Sequence, residues 1–273
     1  MRIKLDVVAC RPASFPRERR ALHVRSQGYW VPASLGPFSQ AVGDHHRIYM
    51  SGQIGMRPAT LDLPDDVALQ LALSVQHQQR IVDAVSEWDA CVHVEGGICW
   101  LSPPDGLDMT QSTLSLHQKT EPMLFVYLPS KSITKHACCE WQLTARIFDE
   151  KRKVGLRAKK IRSDGITCCY RMCEYDDSTS LTSGIALFTL VGDDESFTTH
   201  VDDAWLELRQ AIKSALHVKL IYDTHESLGV MYNIVHKVLS PPLPATTTVP
   251  VLGWQLPGEN ISNGPNTCAL VWT

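Results

Sequence analysis

What most restricts this chain is a helix-length apolar stripe set among segments of β character, followed by much the same order of segments a second time. From Val67 to Trp88, the residues Ala68, Leu71, Ala72, Val75, Val82 and Val85 recur at three- and four-residue steps, which places them on one side of an α-helix. Asp65 and Asp66 stand at its start, where carboxylates cap free amides and suit the helix dipole. Ile3–Val8, Arg47–Ile54, His93–Leu101, Pro122–Pro129 and Ala137–Phe148 read as strands, and Pro58–Pro64 as a turn-rich loop. A polar, Arg-rich linker runs to about Arg25, and Tyr29–Val42, broken by Pro32, Gly36 and Pro37, is extended or looped.

The basic stretch Lys151–Lys160 is the expected boundary between halves. Beyond it, Gly165–Glu174 and Ser183–Val191 form hairpin strands around the polar turn Asp176–Ser180. Val201–Leu216 carries Val201, Ala204, Trp205, Leu208, Ile212 and Ala215 on one helical side. Val218–Tyr222 is a strand, and Leu228–Leu239 a helix stopped by Pro241-Pro242. Thr246–Leu252 and Cys268–Trp272 close the chain as strands. This grammar predicts an α+β fold in two copies, each a mixed β-sheet with helices packed on one face. The expected domains are 26–150 and 151–273, with 1–25 a single strand and linker.

Composition narrows the function classes. At 44% hydrophobic and 20% charged, the 273 residues can bury two cores. A net charge of −3 supplies no basic field for nucleic acid or an anionic membrane, so no nucleic-acid partner is expected. No apolar run approaches the ~18–20 residues of a membrane span, and the N-terminus lacks a signal-peptide core. A cytoplasmic location and no membrane partner are expected. None of the nine cysteines forms a C-x-x-C; Cys138-Cys139 and Cys168-Cys169 are adjacent pairs whose side chains diverge in a strand, so no metal is expected. His45-His46 falls in an expected hairpin turn, and the other histidines lack ligand spacing such as H-E-x-x-H.

The most specific words are Leu35-Gly36-Pro37-Phe38-Ser39-Gln40-Ala41-Val42, then Ile48-Tyr49-Met50-Ser51-Gly52-Gln53-Ile54-Gly55, then Pro58-Ala59-Thr60. Together they resemble the opening of RidA-family (YjgF/L-PSP endoribonuclease-like) domains, which reads G-P-Y-S-Q-A, a short gap, V-S-G-Q-I, then D-P-x-T-G. Tyr127-Leu128-Pro129 and Glu140-Trp141-Gln142 are similar to that family's closing element. The second half follows the family's order of elements without its words. The resemblance implies tandem RidA-like, chorismate mutase-like domains, the second degenerate. Arg20–Ala33, running into the first word, and Leu69–Ser86 with Gly96-Gly97-Ile98-Cys99-Trp100-Leu101-Ser102 resemble the C-terminal RidA-like domains of fungal diphthine–ammonia ligases. Met1–Cys10 is on this resemblance the last strand of a preceding RidA-like domain.

That resemblance implies a role in making diphthamide on translation elongation factor 2. The family's N-terminal ATP pyrophosphatase domain uses ATP to adenylate diphthine for attack by ammonia. Its S-G-G-K-D loop is matched nowhere here, so no cofactor is expected in this chain and an accessory, assembly or ligand-binding role is. The runner-up is a free-standing enamine/imine deaminase, and an RNase is disfavoured by the charge. Active RidA proteins grip the substrate carboxylate with an Arg before the L-P word, and a Glu and a Tyr assist. Here Lys119-Thr120-Glu121-Pro122-Met123 holds no Arg, Phe38 replaces the Tyr, and Glu140 is the retained catalytic candidate. The ligand-binding candidates are Gly36, Phe38, Ser39, Ser51, Gly52, Gln53 and Lys119; Gly36-Pro37 and Ser51-Gly52 equally suit a purely conformational role. The family also implies a homo-oligomer or a pseudo-trimer.

Overall fold

The structure is a computed structural model that describes residues 19–34, 36–44, 47–88, 91–102, 124–129, 133–148, 154–163, 166–175, 183–190, 205–213, 215, 217–223, 245–251 and 267–272. These residues fall into two compact units that divide between residues 153 and 154.

The first unit begins with three short strands, β1 (Arg20–Leu22), β2 (Ala41–Asp44) and β3 (Arg47–Met50). Helix α1 (Val67–Ser86) follows, then β4 (Cys91–Leu101), β5 (Leu124–Pro129), a 3-10 turn at Thr134–His136 and β6 (Cys139–Phe148). The strands lie in the order β1-β2-β3-β6-β4-β5. Every pairing is antiparallel except β4 with β5.

Helix α1 starts where the acidic pair requires: Asp66 Oδ1 accepts from the Ala68 amide at 2.9 Å. Its buried side, which includes Leu71, Ile81 and Val85, packs against β4 and β6. Strand β6 meets it with every second residue, Cys139, Trp141, Leu143, Ala145 and Ile147, all in one buried cluster with Ile48, Met50, Cys99 and Leu101. Strand β4 reaches the same cluster only by changing parity. Val92 and Val94 face α1 at even positions, Cys99 and Leu101 at odd ones, and the register with β6 shifts between Val94 and Gly96. The extra residue of that β-bulge is Glu95.

The bulge sits in a buried charge cluster on the other face of the sheet. Arg47, His93 and Arg146 are register partners across β3, β6 and β4. Glu95 lies 3.1 Å from Arg146 Nε and 3.7 Å from Arg47 Nε, and both arginines and the glutamate are at most 3% exposed. None of the three guanidinium nitrogens of Arg47 has a hydrogen-bond partner. One carboxylate therefore serves two buried cations, an arrangement whose desolvation cost is large unless the pairing is kept.

The second unit comprises β7 (Val154–Ser163), β8 (Ile166–Tyr175), β9 (Ser183–Leu190), α2 (Leu206–Lys213), β10 (His217–Asp223), β11 (Ala245–Val251) and β12 (Thr267–Trp272). Its order, β7-β8-β9-β12-β10-β11, repeats that of the first sheet strand for strand. The one parallel pair, β10 with β11, occupies the place of β4 and β5. Helix α2 buries Leu208, Ala211 and Ile212, and just before it the ring of Trp205 lies 6.3 Å from that of Phe188.

Several expectations need correction. The two units divide within Lys151–Lys160, the expected boundary, but from Val154 onward that stretch is the edge strand β7, paired residue by residue with β8. Its Arg157 and Lys159 are exposed, and a charged edge discourages pairing with other chains, so a basic composition and a strand are compatible here. Arg20–Leu22 is likewise a strand rather than linker. Strand β3 ends at Met50 instead of Ile54, because the chain leaves the sheet after Met50 and returns only as an isolated bridge between Gln53 and Trp141. Residues 1–18, the turns at His45-His46 and Asp176–Ser180, the proposed helix Leu228–Leu239, and Trp254 lie outside the described residues.

Candidate functional site

The segment between β3 and α1 builds a pocket. Gln40 anchors its rim with every polar group it has. Its backbone amide donates to Leu22 O at 2.9 Å, and its carbonyl accepts from Ser51 N at 2.8 Å. Its Oε1 accepts from Val24 N and Ser34 Oγ, while Nε2 donates to Pro32 O. Gln40 in the first word is thus a fastener that holds the 22–34 segment against the end of β3.

The second word is fastened to β6. Gln53 N donates to Trp141 O at 2.9 Å, and Trp141 N returns a bond to Gln53 O at 3.0 Å. The Gln53 amide nitrogen also donates to Ser51 Oγ at 3.1 Å. This doubled bond lays Gly52 directly under Glu140. A β-carbon at Gly52 would lie 1.9 Å from Glu140 Oε1, so the glycine is what leaves the carboxyl its space. Three residues on, a β-carbon at Gly55 would lie 2.0 Å from the carbonyl oxygen of Gln70, in the first turns of α1. The two glycines of Ser51-Gly52-Gln53-Ile54-Gly55 therefore admit a carboxyl group on one side and a helix backbone on the other.

The resulting cavity measures about 280 Å³ and is lined by Pro32, Ala33, Ser34, Phe38, Gln40, Ser51, Gly52, Gln53, Ile54, Met56, Thr134 and Glu140. Of the residues expected in the site, Phe38, Ser51, Gly52, Gln53 and Glu140 come together here. Gly36 lies beside the Phe38 ring, and Ser39 is half-buried, but neither forms part of the wall. Lys119 lies outside the described residues. Ser34, Gln40, Met56 and Thr134 were not anticipated as walls; they reach the pocket from loops whose paths no periodicity encodes.

Glu140 is the single ionisable group among the described lining residues. Burial pushes its carboxyl above the usual carboxylate range, and the Gln142 amide, whose nitrogen lies 3.4 Å from Oε1, opposes that shift. A half-buried carboxyl that keeps its proton to higher pH suits proton transfer at a bound ligand. Behind the pocket, His77 on α1 donates from Nε2 to the Met56 carbonyl at 2.7 Å. That bond fixes the tautomer, leaving Nδ1 as an unpartnered buried acceptor. Burial pushes the His77 pKa down, against the Met56 bond that raises it.

No family model matches the chain. Over 130 residues it is 32% identical to the diphthine–ammonia ligase of Schizosaccharomyces pombe, which covers 46% of this chain and 21% of that protein. The diphthine–ammonia ligase of Saccharomyces cerevisiae is 24% identical over 120 residues, 42% of this chain and 17% of that one. The chain thus spans about a fifth of the length of these relatives. A 54-residue stretch is 42% identical to the 2-iminobutanoate/2-iminopropanoate deaminase of Escherichia coli, covering 20% of this chain and 42% of the deaminase. Among solved structures, the YjgF gene product from E. coli aligns at 22% identity over 46% of this chain and 98% of its own, with a TM-score of 0.38. RidA from an Antarctic Psychrobacter aligns at 21% identity over 44% and 97%, with a TM-score of 0.39.

Proposed function

We propose that this chain serves diphthamide synthesis as the RidA-like, C-terminal region of a diphthine–ammonia ligase, acting as an accessory, assembly or ligand-binding module. The observation that carries this reading is the 130-residue similarity to the S. pombe ligase, joined to a RidA-type pocket without a guanidinium among its described walls. The ATP-dependent activation of diphthine belongs, on this reading, to an ATP pyrophosphatase domain, and ATP is that domain's cofactor. Elongation factor 2 is the partner reached through the complete ligase, in the cytoplasm. The two units are read as two RidA-like domains, over 26–150 and 151–273, assembling into a homo-oligomer or a pseudo-trimer.

Supplying the chain to an ATP pyrophosphatase domain, as separate polypeptides, should raise the rate of ATP-dependent diphthine amidation on elongation factor 2. An equal rate with and without the chain rejects the accessory role.

The 54-residue match to the deaminase and the placement of Glu140 over Gly52 favour a second reading, a free-standing enamine/imine deaminase. With no Arg among the described pocket walls to hold the carboxylate, turnover of 2-aminoacrylate generated in situ should stay at background. A rate well above background that falls in Glu140→Gln would establish the deaminase instead.

A further inference from the structure

The described walls of the pocket carry one ionisable group, a carboxyl. Its walls offer a carboxyl (Glu140), a serine hydroxyl (Ser51) and an amide whose nitrogen is already committed to Ser51, leaving the carbonyl oxygen of Gln53 as an acceptor. No Lys, Arg or His is among the described lining residues. Ser34, Gln40 and Thr134 add neutral polar groups, those of Ser34 and Gln40 bonded to one another; the other walls are apolar, and one of them, Phe38, is 44% exposed. Acceptors and an aromatic face select the opposite partner to a carboxylate: a cation bearing N–H groups.

We propose that this pocket binds a small primary ammonium ligand lacking a carboxylate, with its N–H groups directed to Glu140 and Gln53 and its charge against the Phe38 ring. The cavity limits its size. About 280 Å³ is the share of roughly nine water molecules at ~30 Å³ each, enough for an alkylammonium group of a few carbons. Ile54, Met56, Pro32 and Ala33 supply the surface for those carbons. Gly52 enters the specificity as well, because a side chain there would displace the Glu140 carboxyl. The inference rests on the accessory reading only in taking this pocket as the ligand site, and a failed ligase experiment and a failed binding experiment are separate results.

Among the described residues, the charged surroundings of Glu140 are sparse. Gln142 is its hydrogen-bonding neighbour on β6, and the Cys99 thiol on β4 is the titratable group that feels its charge. Lys135 and His136 of the 3-10 turn are exposed, and Lys135 Nζ is bound to the Leu61 carbonyl. The ammonium requires ionised Glu140. Its affinity should therefore weaken as pH falls through the raised Glu140 pKa, and binding should release protons there.

Calorimetric titration of the full chain with propylammonium, propionamide and propionate, three probes of similar size and different charge, tests this directly. Propylammonium should bind tightest and propionate weakest. Glu140→Gln should weaken propylammonium about ten- to a hundredfold, the loss of one charged hydrogen bond, with an unchanged unfolding midpoint as proof of fold. Phe38→Leu should weaken it about two- to fivefold, the magnitude of an exposed cation–π contact, and leave propionamide unaffected. Propionate binding as tightly as propylammonium, or propylammonium binding equally well to wild type and Glu140→Gln, overturns the proposal.

Discussion

The two units share a strand order but keep their charges in opposite places. In the first, Glu95 holds Arg47 and Arg146 inside the protein, on the sheet face opposite α1. In the second, Glu207 at the start of α2 accepts from Arg157 at 2.5 Å and Lys159 at 2.9 Å, and Arg157 also meets Glu174 at 2.6 Å, all at partly exposed positions. The same topology is thus stabilised around a buried cluster in one copy and decorated by a surface network in the other. Topology alone dictates neither. What it fixes is that residues on neighbouring strands face each other; the sequence decides whether those neighbours are solvated.

The largest effect follows from the buried side of this comparison. Glu95→Gln removes the one carboxylate shared by two arginines that are almost fully desolvated. Breaking a buried pair in this way costs about 3–5 kcal/mol. Urea unfolding of the full chain should show the loss in the first unit's transition. A midpoint within error of wild type would mean that the cluster is solvated, and the contrast between the units would disappear.

Next come the glycines of the pocket. Gly55→Ala drives a methyl into the backbone carbonyl of Gln70, which cannot move without shifting α1, and should destabilise by about 1–3 kcal/mol. Gly52→Ala meets the Glu140 side chain from Oε1 back to Cγ, and that side chain, unlike a helix backbone, can rotate away. It should leave stability nearly unchanged and instead abolish the raised Glu140 pKa, read by the carboxyl resonance of Glu140 in an NMR titration. Equal destabilisation by the two changes would show that the carboxyl is as firmly fixed as a helix.

These positions also show what the sequence makes legible. The helix at Val67, its Asp66 cap and the apolar alternation of β6 are local patterns that appear where expected, but the apolar stripe of the helix is misread: Ala68 and Ala72 are exposed, and Gln70, Ser74, His77 and Gln78 lie on the buried side with Leu71, Ile81 and Val85. Gly52 and Glu140 are separately visible as parts of words, but their contact depends on the doubled bond between Gln53 and Trp141, 88 residues apart, which no local rule supplies. The Arg47–Glu95–Arg146 cluster went unread for the same reason. Its trace in the sequence is faint: the parity of apolar residues in β4 changes across Glu95-Gly96-Gly97, as a bulge demands. The strand β7 was hidden by its composition, since a run of lysines and arginines reads as a boundary until its partner strand is known.

A smaller effect is pH-dependent and belongs to the first unit alone. His77 is buried, neutral, and has its pKa pushed below 6.5 by burial. The unfolded chain takes up this proton first, so stability is full above pH 6.5 and declines as pH falls from 6.5 towards the lowered value. The slope from this residue is at most about 1.4 kcal/mol per pH unit. His77→Gln should flatten that part of the stability–pH curve. A wild-type curve already flat across the window would remove His77 as an acid-labile point behind the pocket.

The smallest effect lies on the exposed side and is the most diagnostic for the comparison. The Glu207 carboxyl is pulled down to about 2, first by its hydrogen bond from Lys159 and then by that from Arg157. Read alone, such a shift suggests a strong interaction. Water and salt around Arg157 and Lys159 argue otherwise, because exposed pairs recover most of their solvation when they separate. Glu207→Gln should therefore cost a small fraction of what Glu95→Gln costs. The difference from wild type should vanish near 1 M NaCl, where the screening length is about 3 Å, while the Glu95→Gln loss should persist because its cluster is desolvated. If both losses respond alike to salt, burial is not what separates the two units.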